Sequence, residues 1–554
     1  MAIRQELTKR WNQLKQDAED WRKKWLDIKD WEMPEHGRFL SNESQEEVNY
    51  ADTDRSNIID ETPENAIEKM AAGLQTGMSS PANPWFSLKL QDEKLMKYRS
   101  AKVWLKEVED ILRGIFAGGR IYDGLIMLYT ELGPFGTAAA SLEESFKTTV
   151  YMRPYTIGEY FLATNQDREV DTFARRTWLT ARQIVYRWGL ERSSQQVRTA
   201  FDNSPEQRFE VAHLIEPNDD RMSVRDPVGR RFRSIYWETG AQEELVLSIG
   251  GFEEWPVLTP RWKVVSDDVY GRGQGMVMLG TIKMLQSMQR DSLIALKKLI
   301  DPPLTGGAEN DEINTLPGGI SYPKTNQLGD GTLKPLYQIS PDFRSIEYKI
   351  EQVKYAIRQG FFNDMFQMIS SQPADGRMTA TEIVERQQEK LTLLGPVLER
   401  ISDEVLRPLI SRTFSIAQRQ GKIPPPPPEL ADMPLFVEFV SPLAQAQKIM
   451  SQRSTEQFVG FVGNLAAVNP DVLDKVDFDR GVEIYADNMG VDPSLMRRNE
   501  DVQAIREARA QAQAQAAQQE KQLADAQAAK LMSEAKTGQG SVLDVALGGL
   551  GGQI

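Results

Sequence analysis

Cysteine is absent from the 554 residues. That excludes disulfides, thiolate zinc sites, iron–sulfur clusters and a cysteine nucleophile. Histidine is nearly absent: only His36 and His213 exist. A Ser-His-Asp machine would have to use one of them, and one chain has too few for a multi-histidine metal site. Positive charge is also short, with 66 Lys+Arg against 80 Asp+Glu and a formal charge of -14. A protein built to grip nucleic acid needs a basic surface. One that surrounds DNA without gripping it does not. No run of about 20 apolar residues is present that would span a bilayer. The most apolar stretch, Leu125 to Leu142, is interrupted by Glu131 and Pro134. The first residues, MAIRQELTKRW, are charged from the fourth onward, unlike a signal peptide. No membrane partner is therefore expected.

What is present suits a folded chain of several parts. Apolar residues make up 40% and charged residues 26%, which supports a core and argues against wholesale disorder. Length allows about three or four domains, or one elongated chain. Leu7, Trp11, Leu14, Ala18, Trp21, Trp25 and Ile28 recur at helical spacing, giving one amphipathic helix. Its tryptophan stripe needs a large apolar partner, on its own subunit or on a neighbour. From Pro63 to Ile126 the pattern stays helical around a turn at Ser79 to Phe86. The period then changes to two. Thr149–Pro154, Glu159–Thr164, Thr172–Trp178, Arg208–Glu216, Arg231–Glu238 and Glu244–Ile249 read as strands. Short helices near Thr180–Gly189 and Ser194–Phe201 interrupt them. His213 lies on an apolar strand face and reads as a core residue.

Tyr270 to Met276, YGRGQGM, invites a phosphate-loop reading and fails on detail. The nucleotide pattern needs Gly-Lys followed by Ser or Thr, yet Gly421-Lys422 is followed by Ile423. The glycines read instead as a flexible lead into a helix. That helix spans about 277–300 and stops at Asp301-Pro302-Pro303. A second, about 343–366, carries Ile346, Ile350, Val353, Ile357 and Phe361. The segment between them is rich in Gly and Pro, suggesting a small module on a helical stalk. A polar loop follows, then a capping box at Thr379 and Glu382 opens a long helix. Gly395-Pro396 should kink it, and Pro408 is a second candidate. Phe436–Val440 reads as a strand. The last long helix, near 499–536, is mostly Ala, Gln, Glu and Arg.

The order of these parts resembles one family. YGRGQG leads into a helix, DPPL ends it, and LPGGI follows. Then come RMTATEIVERQQEKLTLLGPVLERI, FVSPLAQAQ and YADNMGVDPSLMRRNEDVQAIREARAQ, spanning Tyr270 to Gln511. Together they resemble the portal (head-to-tail connector) proteins of short-tailed double-stranded DNA phages. The resemblance implies a mainly α fold with a β-rich wing subdomain (α+β), assembled into a ring of usually twelve copies at one capsid vertex. It implies a wing at 1–276 and 378–498, stem helices at 277–300 and 343–366, and a clip at 301–342. A tunnel loop would lie at 367–377 and a crown or barrel at 499–554. Implied partners are double-stranded DNA without sequence preference, the terminase large subunit, a tail adaptor, and scaffolding and major capsid proteins. The implied location is the portal vertex of the virion, after assembly in the host cytoplasm.

On this reading no catalytic, cofactor-binding or metal-ligating residue is expected. The segment 277–366 holds ten Lys+Arg and ten Asp+Glu, a balance that would let DNA slide without a deep electrostatic minimum. Lys349, Lys354 and Arg358 are candidate channel residues. Glu347, Glu351, Lys354 and Arg358 share a face opposite Ile346 and Ile350, either a solvated face or part of the lumen. Ser370, Ser371, Gln372 and Arg377 are candidates for close approach to the duplex. Gly395 and Pro396 are the expected hinge. Two other classes remain open: a DNA-independent scaffold ring, and a nuclease using acidic pairs such as Asp219-Asp220, Glu253-Glu254 or Asp267-Asp268.

Overall fold

The computed structural model describes residues 3–42, 54–90, 99–218, 229–241, 244–305, 316–321, 334–335, 342–370, 394–428, 435–439, 461–463, 476–482 and 499–536. They belong to two compact units, Met1–Asn464 and Leu465–Ile554.

The first unit opens with α1 (Ile3–Asp17) and α2 (Glu19–Trp31), two helices where the periodicity reads as one. Their stripe docks on this chain's own core: Leu7, Leu14, Ala18, Trp25 and Ile28 are each almost fully buried. Trp11 meets Phe161 and Trp237 edge-on, with centroids 5.3 and 6.1 Å away. Then come α3 (Thr62–Met78), β1 (Phe86–Leu90), α4 (Arg99–Gly118) and α5 (Ile121–Phe135). The strand β1 falls where the sequence pattern reads as helix.

The strand-rich part follows: β2 (Ala139–Ser145), β3 (Thr149–Tyr155), β4 (Tyr160–Thr164) and β5 (Val170–Thr180). Helices α6 (Ala181–Trp188) and α7 (Gln195–Asn203) precede β6 (Arg208–Pro217), β7 (Phe232–Glu238), β8 (Ser248–Phe252) and β9 (Val257–Leu258). A long helix, α8 (Gln274–Ile300), leads to three two-residue strands, β10 (Leu304–Thr305), β11 (Ile320–Ser321) and β12 (Lys334–Pro335). The chain returns through α9 (Phe343–Gly360) and α10 (Asn363–Ser370). A helical run at 394–401 passes through a π-helical turn, Ser402–Leu406, into α11 (Arg407–Arg419), and β13 (Leu435–Phe439) comes after.

Strands β4-β5-β6-β7-β8 form an antiparallel meander, and β3-β2-β9 form a second sheet. β1 pairs antiparallel with β13, and β10 joins β11 in parallel and β12 antiparallel. The fold is therefore α+β with mostly antiparallel sheets. β6 is buried on six successive residues rather than alternately, because both of its faces are covered. Val211 packs with Ile184 and Val197 of α6 and α7 on one side, while Ala212 and Leu214 join the main core. His213 is buried among them, its Nε2 2.9 Å from Ser234 Oγ and its ring stacked on Tyr236 at 3.7 Å. Burial, aided by Arg175, pushes its pKa well down, so the ring is neutral.

Residues 33–42 strap the helices to the sheets. His36 Nδ1 lies 2.9 Å from Glu131 Oε1, and Glu131 Oε2 accepts from Ile157 N. Arg38 lies 3.9 Å from Glu159, whose carboxyl burial pushes up to about 7. A carboxyl raised in the folded state favours folding fully below the unfolded value, and that support fades as pH rises through the folded one. Glu159→Gln should therefore gain on the parent between about pH 4.5 and pH 8. Because the Glu159 side chain keeps 21% exposure, a gain of about 1–2 kcal/mol at pH 8 is expected. Denaturant melts at both pH values check this; an equal difference at both would contradict it.

In the second unit, α12 (Asn499–Lys536) has 38 residues, about 57 Å of helix. Its described side chains are all exposed apart from a half-buried Val502. Arg506 bonds Asp479 through both terminal nitrogens at 2.6 and 2.7 Å.

Candidate functional site

The long helices α8 and α9 pack on each other and on α2, α3 and α5. Lys297 and Lys298 in the last turn of α8 complement the carbonyl end of its dipole. Asp342 caps α9 by accepting from the backbone N–H groups of Arg344 and Ser345. α8 begins at Gln274, three residues earlier than its periodicity suggests.

The glycines at the start of α8 are a close-packed joint, not a flexible lead. A Cβ on Gly271 would lie 2.2 Å from Gly136 O, and one on Gly273 2.4 Å from Gly133 O. One on Gly275 would lie 2.7 Å from Pro134 Cα. The start of α8 is thus pressed backbone to backbone against the end of α5. Gly271 N donates to Thr137 Oγ1 at 2.8 Å and Trp262 N to Gly136 O at 2.9 Å. Glu32 is sealed into the same joint. Neither of its carboxylate oxygens has a hydrogen-bond partner among the described residues. Burial pushes its pKa well up, which favours the neutral acid.

Midway along the pair, one carboxylate joins three elements. Asp60, just before α3, places Oδ2 2.7 Å from Lys354 Nζ on α9 and 2.7 Å from Gln289 Nε2 on α8. Its Oδ1 accepts from Thr62 N at 2.9 Å. The fully buried Gln286 of α8 accepts from Ile59 N and Asp60 N and donates to Asp60 O, all within 2.9 Å. Burial raises the Asp60 carboxyl, but the bonds from Lys354, Thr62 and Gln289 outweigh it and hold it below the usual range.

The structure places the residues singled out in the sequence as follows. The Lys354 side chain is only 18% exposed and serves Asp60, with Glu351 3.6 Å away. Glu347, Glu351, Lys354 and Arg358 lie on a flank of α9 rather than opposite its buried face. The side opposite Ile350 and Ile357 carries Tyr348, Gln352 and Tyr355. Lys349 and Arg358 are exposed. The second helix is not continuous to 366: it breaks after Gly360, with Phe362 at a left-handed φ of 58°. α10 then extends to Ser370, so 367–370 are helix where a loop was expected. The break is set by packing, because Phe361 and Met365 are fully buried and the Phe366 ring rests on Gly73. Ser371, Gln372 and Arg377 lie outside the described residues. Gly395 and Pro396 stand in the first described turn of the 394–401 run, and the helix expected before them lies outside the described residues. The observed irregularity comes at Ser402–Leu406, immediately before Pro408. There a wider turn accommodates a ring that cannot donate to the carbonyl one turn back.

Outward-facing apolar residues stand on both long helices. Val277 and Met284 are seven residues apart on α8, at 71% and 47% exposure; Tyr348 and Tyr355 repeat that spacing on α9, at 65% and 52%. The clasp residues Asp60, Gln286 and Gln289 escape a sequence reading. Their only signal is two glutamines on the otherwise apolar face of α8 formed by Ile282 and Leu285. Several acidic residues are engaged by arginine: Asp267 by Arg168 at 3.0 Å, Asp268 by Arg272 at 3.0 Å, and Glu254 near Arg412 at 3.9 Å. Asp219 and Asp220 lie outside the described residues.

Residues 4–496 match the family described as bacteriophage head to tail connecting protein. The chain is 36% identical over 546 residues to a portal protein of Salmonella phage epsilon15, covering 98% of this chain and 97% of that one. It is 38% identical over 546 residues to a probable portal protein of Bordetella phage BPP-1, covering 97% of each. With a match running almost end to end, the chain belongs to the bacteriophage head to tail connecting protein family.

Proposed function

We propose that this chain is the portal protein of a short-tailed phage. Copies close into a ring, of about twelve on the family pattern, at one capsid vertex. Double-stranded DNA enters through the ring, driven by the terminase large subunit, and later leaves by the same passage. The observation that carries this reading is the end-to-end match to two relatives named as portal proteins. The clip would dock the terminase before packaging is complete and a tail adaptor afterwards; scaffolding and major capsid proteins are the other proposed partners. The role is structural and the location is the virion, after assembly in the host cytoplasm.

In this reading the stem is 277–300 and 343–366, that is, most of α8, all of α9 and the first turn of α10. Residues 301–342 are the clip, 367–377 the tunnel segment, which opens with the helical end of α10, and 499–554 the crown or barrel. Residues 1–276 and 378–498 form the wing, with Gly395 and Pro396 as its hinge. The exposed apolar residues of α8 and α9 support lateral packing between copies. Lys349 and Arg358 are the proposed weak phosphate contacts, because their charges reach solvent while Asp60 holds Lys354. Ser370, Ser371, Gln372 and Arg377 are the proposed points of closest approach, where short polar groups touch a duplex without reading it. The acidic ring as a whole repels phosphate, so DNA is conducted rather than bound.

The experiment is packaging with Lys349→Gln/Arg358→Gln particles. Slowed or stalled packaging with normal ring assembly is expected. Unchanged rate and packaged length would contradict the channel assignment. A DNA-independent scaffold ring predicts no packaging effect from any channel substitution. A carboxylate–metal nuclease predicts DNA cleavage by the purified chain.

A further inference from the structure

We propose that Asp60 is the positioning residue that fixes the axial register of the two stem helices. This rests on reading α8 and α9 as the stem. The buried large side chains of these helices are mainly apolar, Ile282 and Leu285 on α8 and Ile350 and Ile357 on α9, and a polar group among apolar ones can set register. Asp60 supplies that group. Oxygen Oδ2 holds Gln289 of α8 and Lys354 of α9 at 2.7 Å each. The backbone around Asp60 is itself fixed to α8 by both ends of the Gln286 amide. Its other oxygen is tied to Thr62 at the start of α3. A slide of α9 by one helical turn, about 5.4 Å, would carry Lys354 away and leave a charge short of a partner. Partly buried ionic groups add little net stability but can specify one arrangement among several. Lys354 therefore belongs to the wall of the stem, not to the DNA path.

The absence of cysteine makes the test direct. Ser287→Cys and Gln352→Cys place spin labels on exposed positions of α8 and α9. Labelled full-length chains are diluted into unlabelled ones, so that only distances within a copy are read by pulsed electron resonance. The parent should give one narrow distance. Asp60→Ala should broaden it or add a population shifted by up to about one turn. The double variant Asp60→Asn/Lys354→Met removes both charges and so avoids an unpaired buried one. It should recover thermal stability yet keep the broadened distance, an outcome a purely stabilising role would not give. A single narrow distance in Asp60→Ala, or its return in the double variant, overturns the proposal. Failure of the portal reading would look different: correct register, with no rings in micrographs.

Discussion

Gly273→Val should prevent the chain from folding stably. The new Cβ would lie 2.4 Å from Gly133 O, 2.5 Å from Gly136 N and 2.5 Å from Pro134 O. All three are backbone atoms, so no side-chain rotation makes room. Overpacking costs about 1–3 kcal/mol where side chains can yield. Here two backbone segments must separate, so a loss of about 3 kcal/mol or more is expected. Gly114→Ala is the matched control, since nothing lies within 4 Å of the added carbon in α4. It should stabilise by about 0.5–1 kcal/mol through helix propensity. Denaturant unfolding of both variants decides. Equal effects would mean that the joint between α5 and α8 is loose.

Arg261→Met should be nearly as damaging, and its cost should depend on pH. Arg261 Nη2 and Nε hold Glu404 Oε1 at 2.7 and 3.0 Å, and Arg261 N donates to Oε2 at 2.7 Å. The arginine side chain is 6% exposed and that of Glu404 19%. Breaking one side of a buried pair costs about 3–5 kcal/mol. Burial already raises the Glu404 carboxyl above its ordinary value, and Arg261 opposes that shift. Without the arginine the folded chain binds a proton more readily than the unfolded one. Stability of the variant then falls as pH rises above the ordinary glutamate range. The deficit against the parent should be larger at pH 8 than at pH 5. A pH-independent deficit would show that packing, not charge, supplies the loss. The π-helical turn Ser402–Leu406 contains Glu404, so the irregularity before Pro408 also shapes this contact.

What a single sequence reveals here is what repeats locally. The meander strands are legible because short runs of β-branched and aromatic residues stand between turn residues, although β4 and β5 are buried on successive residues rather than alternate ones. The tryptophan stripe of α1 and α2 is legible from its helical spacing, although the break at Ala18 is not. β1 is missed because five residues, FSLKL, pair with β13 at the far end of the unit, and no local pattern reports that partner. The break between α9 and α10 is missed because Ile357, Phe361 and Met365 continue in steps of four straight through it. Packing of Phe361 and Phe366 overrides the periodicity. Glycines at 271, 273 and 275 look alike whether they confer freedom or permit contact, and only Gly133 to Gly136 decides between the two. Lys354 looks like any solvated lysine until Asp60 is placed beside it.

The central claim is that copies of this chain close side by side around a passage. Electron microscopy of the purified full-length protein, together with labelling of the chain in virions, tests it most directly. An annulus with an open centre wide enough for a duplex, and label at a single vertex, is the expected result. Compact monomers under every assembly condition, with label spread over the capsid, would contradict it.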